Sequence, residues 1–119
     1  MTVTQLLEKT SKLYPKKAAL IFNEEAISFR SLKEYSFRLA HALLKLGIKK
    51  GERVAIFLPN APEYIYSYLA IWSISATSVP LDFMLTEDEL VSCITHSEAR
   101  VLVAKSKPHV SLAALKEKC

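Results

Sequence analysis

The chain alternates apolar runs of strand length with amphipathic stretches of helical length, and this alternation limits the folds it can adopt. Residues 54–58 form a continuous apolar run, which is typical of a β-strand covered on both faces. The next strand is predicted at 78–81, and a third, buried strand at 101–104. Because the stretches between them are long enough for helices, the strands are expected to run parallel. The sequence therefore predicts an α/β fold with a parallel sheet and helices on its faces.

Two elements are predicted before this unit. Apolar residues at helical spacing indicate a first helix that ends before Pro15; they are Val3, Leu6, Leu7 and Leu13. The short apolar runs 18–22 and 26–29 flank Asn23-Glu24-Glu25 and predict a β-hairpin. A long helix follows, and Gly47 supplies the left-handed residue at its end. The expected architecture is a single α/β domain over 1–119, Rossmann-like in arrangement, preceded by a helix and a hairpin.

Three polar residues have the spacing of helix N-caps. Each is followed three positions later by a glutamate, as in a capping box. The pairs are Ser31 with Glu34, Asn60 with Glu63, and Thr86 with Glu89. We expect one helix to begin directly after each cap residue, with the glutamate in its first turn, and a last short helix over 112–118.

Composition and charge exclude several classes of function. The net charge is +4, but the lysines are spread along the chain among acidic residues. A nucleic-acid interface needs basic residues on one face with aromatics among them, so no nucleic acid is expected. No apolar run approaches the roughly 20 residues of a membrane span, and the N-terminus does not resemble a signal peptide. With two cysteines, Cys93 and Cys119, the chain is predicted to be cytoplasmic.

Several segments, in order and in register, carry a family resemblance. The most specific is Gly51-Glu52-Arg53-Val54-Ala55-Ile56 followed by Leu58-Pro59-Asn60-Ala61-Pro62-Glu63. Further matching segments are Tyr14-Pro15 with 19–22, Ser28-Phe29-Arg30-Ser31-Leu32, Val79-Pro80-Leu81-Asp82 and 97–103. Over nearly its whole length the chain resembles the amino-terminal part of the adenylate-forming (AMP-binding) acyl-CoA synthetases. The resemblance implies ATP-dependent activation of a carboxylic acid to an acyl-adenylate and then a CoA thioester. A medium- or long-chain fatty acid is the implied substrate class.

The same resemblance implies that the catalytic parts lie outside this sequence. The family grips ATP with a glycine-rich loop ending in Pro-Lys-Gly, and later segments bind magnesium and provide a catalytic lysine. This chain has only Gly47 and Gly51, which flank Lys49 and Lys50 at turn positions. Phosphate cradles need glycines, because backbone amides must approach the anion closely. We therefore assign no catalytic, cofactor-binding or metal residue, and expect no cofactor for the chain alone, although the family uses ATP, magnesium and CoA.

The chain departs from the family at three positions that are not catalytic. The family usually has glycine, proline and aspartate there, and this chain has Ser75, Phe83 and His96. Replacing a glycine at a helix end restricts the backbone.

Four other residues carry groups that could bind a metal or a ligand or act as a base. Cys93 and His96 lie three apart on a predicted helix, but a zinc site needs three or four ligands. His41 has no carboxylate at helical reach, so a structural or solvent role is expected. Asp82 follows the carboxyl end of a strand, where ligands gather in open α/β sheets, though a turn before the next helix also explains it.

Tyr64, Tyr68 and Trp72 are spaced by four residues and should form one stripe on a helix, with Tyr66 nearby. The stripe either packs against the sheet or forms an exposed patch. Because an exposed apolar patch drives self-association, we predict a homo-oligomer, most simply a dimer with two-fold symmetry.

Three hypotheses follow for the function. The chain is a truncated or split acyl-CoA synthetase, inactive alone, which a second polypeptide completes. It is alternatively a stand-alone interaction or scaffold module that kept the fold without the chemistry. The third hypothesis is a folded but idle fragment of an interrupted gene.

Overall fold

The computed structural model describes residues 2–118, and each predicted helix and strand is present. The elements in chain order are α1 (Val3–Leu13), β1 (Ala18–Phe22), β2 (Glu25–Ser28), α2 (Phe29–Lys45), β3 (Arg53–Phe57), α3 (Pro62–Ser73), β4 (Thr77–Pro80), α4 (Glu87–Ser97), β5 (Val101–Ala104) and α5 (Leu112–Lys118). Cys119 lies outside the described residues. The α/β fold predicted from the sequence is confirmed.

The centre of the fold is a three-stranded parallel sheet in the order β4-β3-β5. Val54 of β3 pairs with Ser78 on one side and with Val101 on the other. The chain therefore crosses from β4 over the middle strand to reach β5, an order that the sequence left open. β1 and β2 form a separate two-stranded antiparallel sheet, so the hairpin does not join the parallel one.

Helices cover both faces of β3, as its continuous apolar sequence predicted. Val54, Ile56 and Leu58 pack on one face against a core that includes residues of α2 and α3. Phe57 points to the other face, where it meets Leu90 of α4 and residues near the C-terminus. Because side chains alternate along a strand, the five-residue apolar run is divided between two separate cores.

The observed starts of the helices confirm one of the three predicted N-caps and show that the other two are wrong. Thr86 and Glu89 form the predicted capping box at α4. The prediction for Ser31 is wrong, because α2 begins at Phe29 and the hydroxyl of Ser28 accepts from the Ser31 amide at 3.1 Å. The prediction for Asn60 is also wrong: Ala61 is the N-cap of α3, with no side-chain cap hydrogen bond, because Pro62 occupies the first helical position.

Positive φ angles mark the tight turns. Gly47 and Gly51 have φ of +89° and +80°, as the turn assignment requires. Asn23 and Glu24 at the tip of the hairpin have φ of +50° and +69°, so the turn contains two central residues rather than the predicted three. Ser75, just after α3, has φ of +59°. A glycine would suit this position better, since L-residues are strained in the left-handed region.

Candidate functional site

The carboxyl ends of the parallel strands form the part of the fold where an α/β protein would bind a ligand. A cavity of about 370 Å³ opens there between the segments that follow β3 and β4. Its lining includes Asn60, Tyr64 and Asp82. An Asp82 carboxylate oxygen accepts a hydrogen bond from the Met84 amide at 2.8 Å, and the residue is exposed. Asp82 therefore shapes the turn before α4, as one of its two predicted roles required.

Tyr64 connects this cavity to the aromatic stripe. Burial raises the pKa of Tyr64 to about 12, with further contributions from Tyr68 and from the negative charge of Asp82. The ring centroids of Tyr64 and Tyr68 are 5.2 Å apart, and those of Tyr68 and Trp72 are 5.1 Å apart. Tyr66 instead contacts Tyr35 of α2, at 5.2 Å. The stripe predicted from the spacing of four is therefore present.

The aromatic stripe is only partly exposed. Some of its side chains pack against the core and one is exposed, so each of the two predicted interpretations holds for part of the stripe. Tyr64 and Tyr68 pack against the core on the α2 and α3 side, whereas Trp72 is 43% exposed. An apolar groove of about 550 Å³ separates α3 from the hairpin. Ile21 and Phe22 of β1 line it and are 75% and 39% exposed. The open apolar surface is therefore centred on the hairpin and α3 together.

The Lys107 side chain contacts two loops at the carboxyl ends of the parallel strands. Its ammonium donates a hydrogen bond to the Phe83 carbonyl. The same nitrogen lies 4.9 Å from the ring centroid of Phe83 and 5.6 Å from that of Phe57. These contacts join the segments that follow β4 and β5. Because Lys107 and Phe83 are 24 residues apart in the sequence, no local pattern predicts this contact.

At the amino-terminal ends of the strands, charged groups join the turns that precede β3 and β5. Glu52 accepts from the Lys49 amide and from Arg100, both at 2.6 Å. The Lys49 hydrogen bond, and after it Arg100, hold the pKa of Glu52 below its ordinary value. Arg53 donates to the Ser97 carbonyl at 2.8 Å. These contacts join the turns before β3 and β5.

Gly47 and Gly51 shape the turn before β3. Their amides donate to the Leu44 carbonyl at 3.0 Å and to the Ser75 carbonyl at 2.8 Å. Both are needed for their positive φ and hence for the turn that contains Lys49 and Lys50, whose side chains are exposed.

The remaining candidate groups lie on separate elements. His41 is exposed on α2, while Cys93 is half-buried and His96 exposed on α4. Within residues 2–118, no group of three or more histidine, cysteine, aspartate or glutamate side chains could hold a metal ion. In the same part of the chain, no helix is long and apolar enough to cross a membrane.

Comparison with known proteins identifies the class and then the family. The solved structures that the fold resembles include an artificially fused adenylation–PCP di-domain of the nonribosomal peptide synthetase NpsA-ThdA from Klebsiella oxytoca, with a TM-score of 0.82 and 29% identity over 92% of this chain. They also include a double mutant of o-succinylbenzoate CoA synthetase from Bacillus subtilis, with a TM-score of 0.78 and 28% identity over 84% of this chain. The fold is thus that of the first part of an adenylation domain.

The family model for AMP-binding enzymes matches residues 7–119, and the chain belongs to that family. A curated relative, the crotonobetaine/carnitine–CoA ligase of Salmonella paratyphi A, is 32% identical in an alignment of 108 residues that covers 87% of this chain. The matched part is 21% of that ligase and 21% of each of the two solved structures. The chain therefore spans about a fifth of the relatives it matches.

Proposed function

We propose that this chain is the amino-terminal scaffold of an ATP-dependent acyl-CoA synthetase and does not catalyse the reaction alone. The observation that carries the proposal is the match to the AMP-binding family over 7–119, combined with coverage of only 21% of the ligase from Salmonella paratyphi A. The rest of the fold, for example on a second polypeptide, would bring ATP, magnesium and CoA. A medium- or long-chain fatty acid is our proposed substrate class, and a cytoplasmic location stays a prediction.

The charges of the described residues support inactivity of the isolated chain. Activating a carboxylate with ATP requires fixed positive charges and amide donors around the phosphates. At the carboxyl edge of the sheet, the Lys107 ammonium already donates to the Phe83 carbonyl. At the amino-terminal ends of the strands, Arg100 is paired with Glu52. Both cations stabilise loops, and the amides of the two glycines donate to the carbonyls of Leu44 and Ser75.

A chimaera tests the proposal directly. This chain replaces the 108 matched residues of the Salmonella paratyphi A ligase within one continuous polypeptide. We expect pyrophosphate exchange with the ligase's own substrate from the chimaera and none from the isolated chain. The control is the same ligase with those residues deleted. A folded but inactive chimaera, or turnover by the isolated chain, would contradict the proposal.

A second candidate function is that of a self-associating interaction module, and the exposed apolar surface favours it. Ile21, Phe22, Ile65 and Trp72 are each more than a third exposed on the hairpin and α3. A stable dimer typically buries about 800 Å² on each partner, and we propose this surface as the centre of a two-fold interface.

Sedimentation velocity at micromolar concentration separates the two candidates. If the module exists, the wild-type chain is a dimer and Ile21→Glu converts it to a monomer. The control is Leu44→Glu on α2, whose side chain is also exposed, at 52%, but lies outside the groove. A monomeric wild-type chain excludes the module.

A further inference from the structure

Helix α1 presents a row of apolar side chains to solvent. Its inner side packs against the fold, where Leu7 and Ser11 are buried. Val3, Leu6 and Leu13 are instead between 50% and 60% exposed. At about 100° per residue, these three side chains lie within a sector of roughly 80° on the helix surface. A continuous apolar row, unlike a single exposed side chain, indicates a surface for a partner.

Lysine side chains border this row on one side. Lys9 lies about 60° around the helix from Leu6, and Lys12 lies about 60° further on. Both lysines are exposed, and neither forms a salt bridge with a carboxylate of residues 2–118. The acidic residue of α1, Glu8, is about 160° from Leu6 and so lies away from the apolar row. The apolar row of α1 is therefore adjoined by positive charge that no carboxylate pairs.

The segment after α1 extends the same surface. Tyr14 is 55% exposed, and the Lys17 ammonium lies 5.5 Å from its ring centroid. Tyrosine and lysine are typical of the boundary between a membrane and water, because each has an apolar body and a polar end. Residues 2–17 contain four lysines and one glutamate, so they carry a net charge of +3 out of +4 for the whole chain.

The charges favour an anionic lipid surface over a protein as the partner of α1. A protein that buried the apolar row would also have to pair the neighbouring lysines in a fixed geometry, because an unpaired buried charge is costly. At a lipid surface, apolar side chains enter the boundary between head groups and acyl chains. The lysine stems meanwhile extend to the anionic head groups.

We propose that α1 and the segment up to Lys17 bind the surface of a membrane that contains anionic lipids. The helix axis lies parallel to the surface, with Leu6 and Leu13 in the lipid and Lys9 and Lys12 at the head groups. This surface is separate from the cavity at the carboxyl ends of the strands, which the segments after β3 and β4 line. The proposal therefore does not depend on the proposed function.

Co-flotation with lipid vesicles tests the proposal on the complete chain of 119 residues. The vesicles contain either phosphatidylcholine alone or about 70% phosphatidylcholine with 30% phosphatidylserine, at about 0.15 M salt. We expect binding to the anionic vesicles to be at least tenfold tighter than to the neutral ones. Equal binding to both, or no binding to either, would overturn the proposal.

A pair of lysine substitutions measures the contribution of the charges on α1. Each lysine near an anionic surface contributes roughly fivefold to binding, so Lys9→Gln with Lys12→Gln should weaken it at least tenfold. The control is Lys49→Gln with Lys50→Gln, which removes the same charge from the exposed turn before β3. The control should bind within twofold of wild type. Equal losses in the two double variants would show an attraction to net charge alone and would refute the proposal.

A pair of leucine substitutions measures the contribution of the apolar row. Leu6→Gln with Leu13→Gln should weaken binding at least tenfold, because the two side chains no longer enter the lipid. Leu44→Gln with Leu46→Gln, at the end of α2, is the control, since these leucines are 52% and 63% exposed. The control should bind within twofold of wild type, and circular dichroism compares the folding of both variants. Wild-type binding by the α1 variant would refute insertion of the row.

The chimaera with the Salmonella paratyphi A ligase shows whether α1 stays accessible in the complete fold. We expect the chimaera to bind anionic vesicles, and Lys9→Gln with Lys12→Gln to weaken that binding at least tenfold. If the substitutions leave the binding of a folded chimaera unchanged, the rest of the fold covers α1 and the proposal is wrong. Vesicle binding by a chimaera without pyrophosphate exchange supports the lipid surface and contradicts the catalytic assignment alone.

Discussion

Ser36 provides the sharpest stability prediction, because its hydroxyl is fully buried without a partner. The residue is 0% exposed on the inner face of α2, and Oγ has no hydrogen-bond partner among the described residues. Leaving a buried hydroxyl unsatisfied costs about 1–3 kcal/mol. Ser36→Ala removes that group, and alanine is also a better helix former by roughly 0.5 kcal/mol. Loss of the Oγ packing contacts offsets part of the gain.

We therefore expect Ser36→Ala to raise the free energy of unfolding by about 1–2 kcal/mol. For a chain of this size, that corresponds to a rise in Tm of roughly 3–10 °C. Urea denaturation followed by circular dichroism measures the change, and an unchanged m-value would show that the two end states are the same.

Ser67→Ala is the matched control. Ser67 is equally buried on α3, at 1% exposure, but its hydroxyl donates to the Glu63 carbonyl at 2.7 Å. The alanine loses a satisfied hydrogen bond while gaining the same helix propensity, so its stability should stay within about 0.5 kcal/mol of wild type. If Ser36→Ala is no more stable than wild type, or if the two variants change equally, the unsatisfied hydroxyl is not costing stability.

Three further predictions concern the turns and loops. Ser75→Gly should stabilise the chain by about 0.5–1 kcal/mol because it relieves the positive φ, whereas Ser75→Ala should not; equal unfolding free energies would contradict this. Because the pKa of Glu52 is lowered on folding, wild type should be more stable than Glu52→Gln at pH 7, and the difference should vanish as the pH falls from the ordinary pKa of 4.5 through the lowered one. If the stability difference between wild type and Glu52→Gln grows as the pH falls, the prediction is wrong. Lys107→Met should cost about 1–2 kcal/mol and speed amide exchange at Leu85, whose amide donates to the Asp82 carbonyl in the loop that Lys107 contacts, while Lys105→Met, at an exposed site, should do neither.

Local signals in the sequence predicted the elements but located only some of their boundaries. The capping box at Thr86 and Glu89 was correct because every interaction in it spans three residues. At α2, serines occur at both 28 and 31, and only a contact with the preceding segment decides between them. The Phe29 amide donates to the Lys17 carbonyl at 3.0 Å, so the hairpin places the helix start at Phe29. At α3, the proline at the first helical position was a better signal than the asparagine two residues earlier.

The features that bear on function depend on contacts between distant residues, which spacing within one sequence does not encode. Lys107 interacts with Phe57 and Phe83 across separate loops, and its role was invisible until the order β4-β3-β5 placed those loops together. The same order explains why two similar short strands have different edges. Pro80 blocks the outer side of β4, while the outer amides of β5 stay available for pairing.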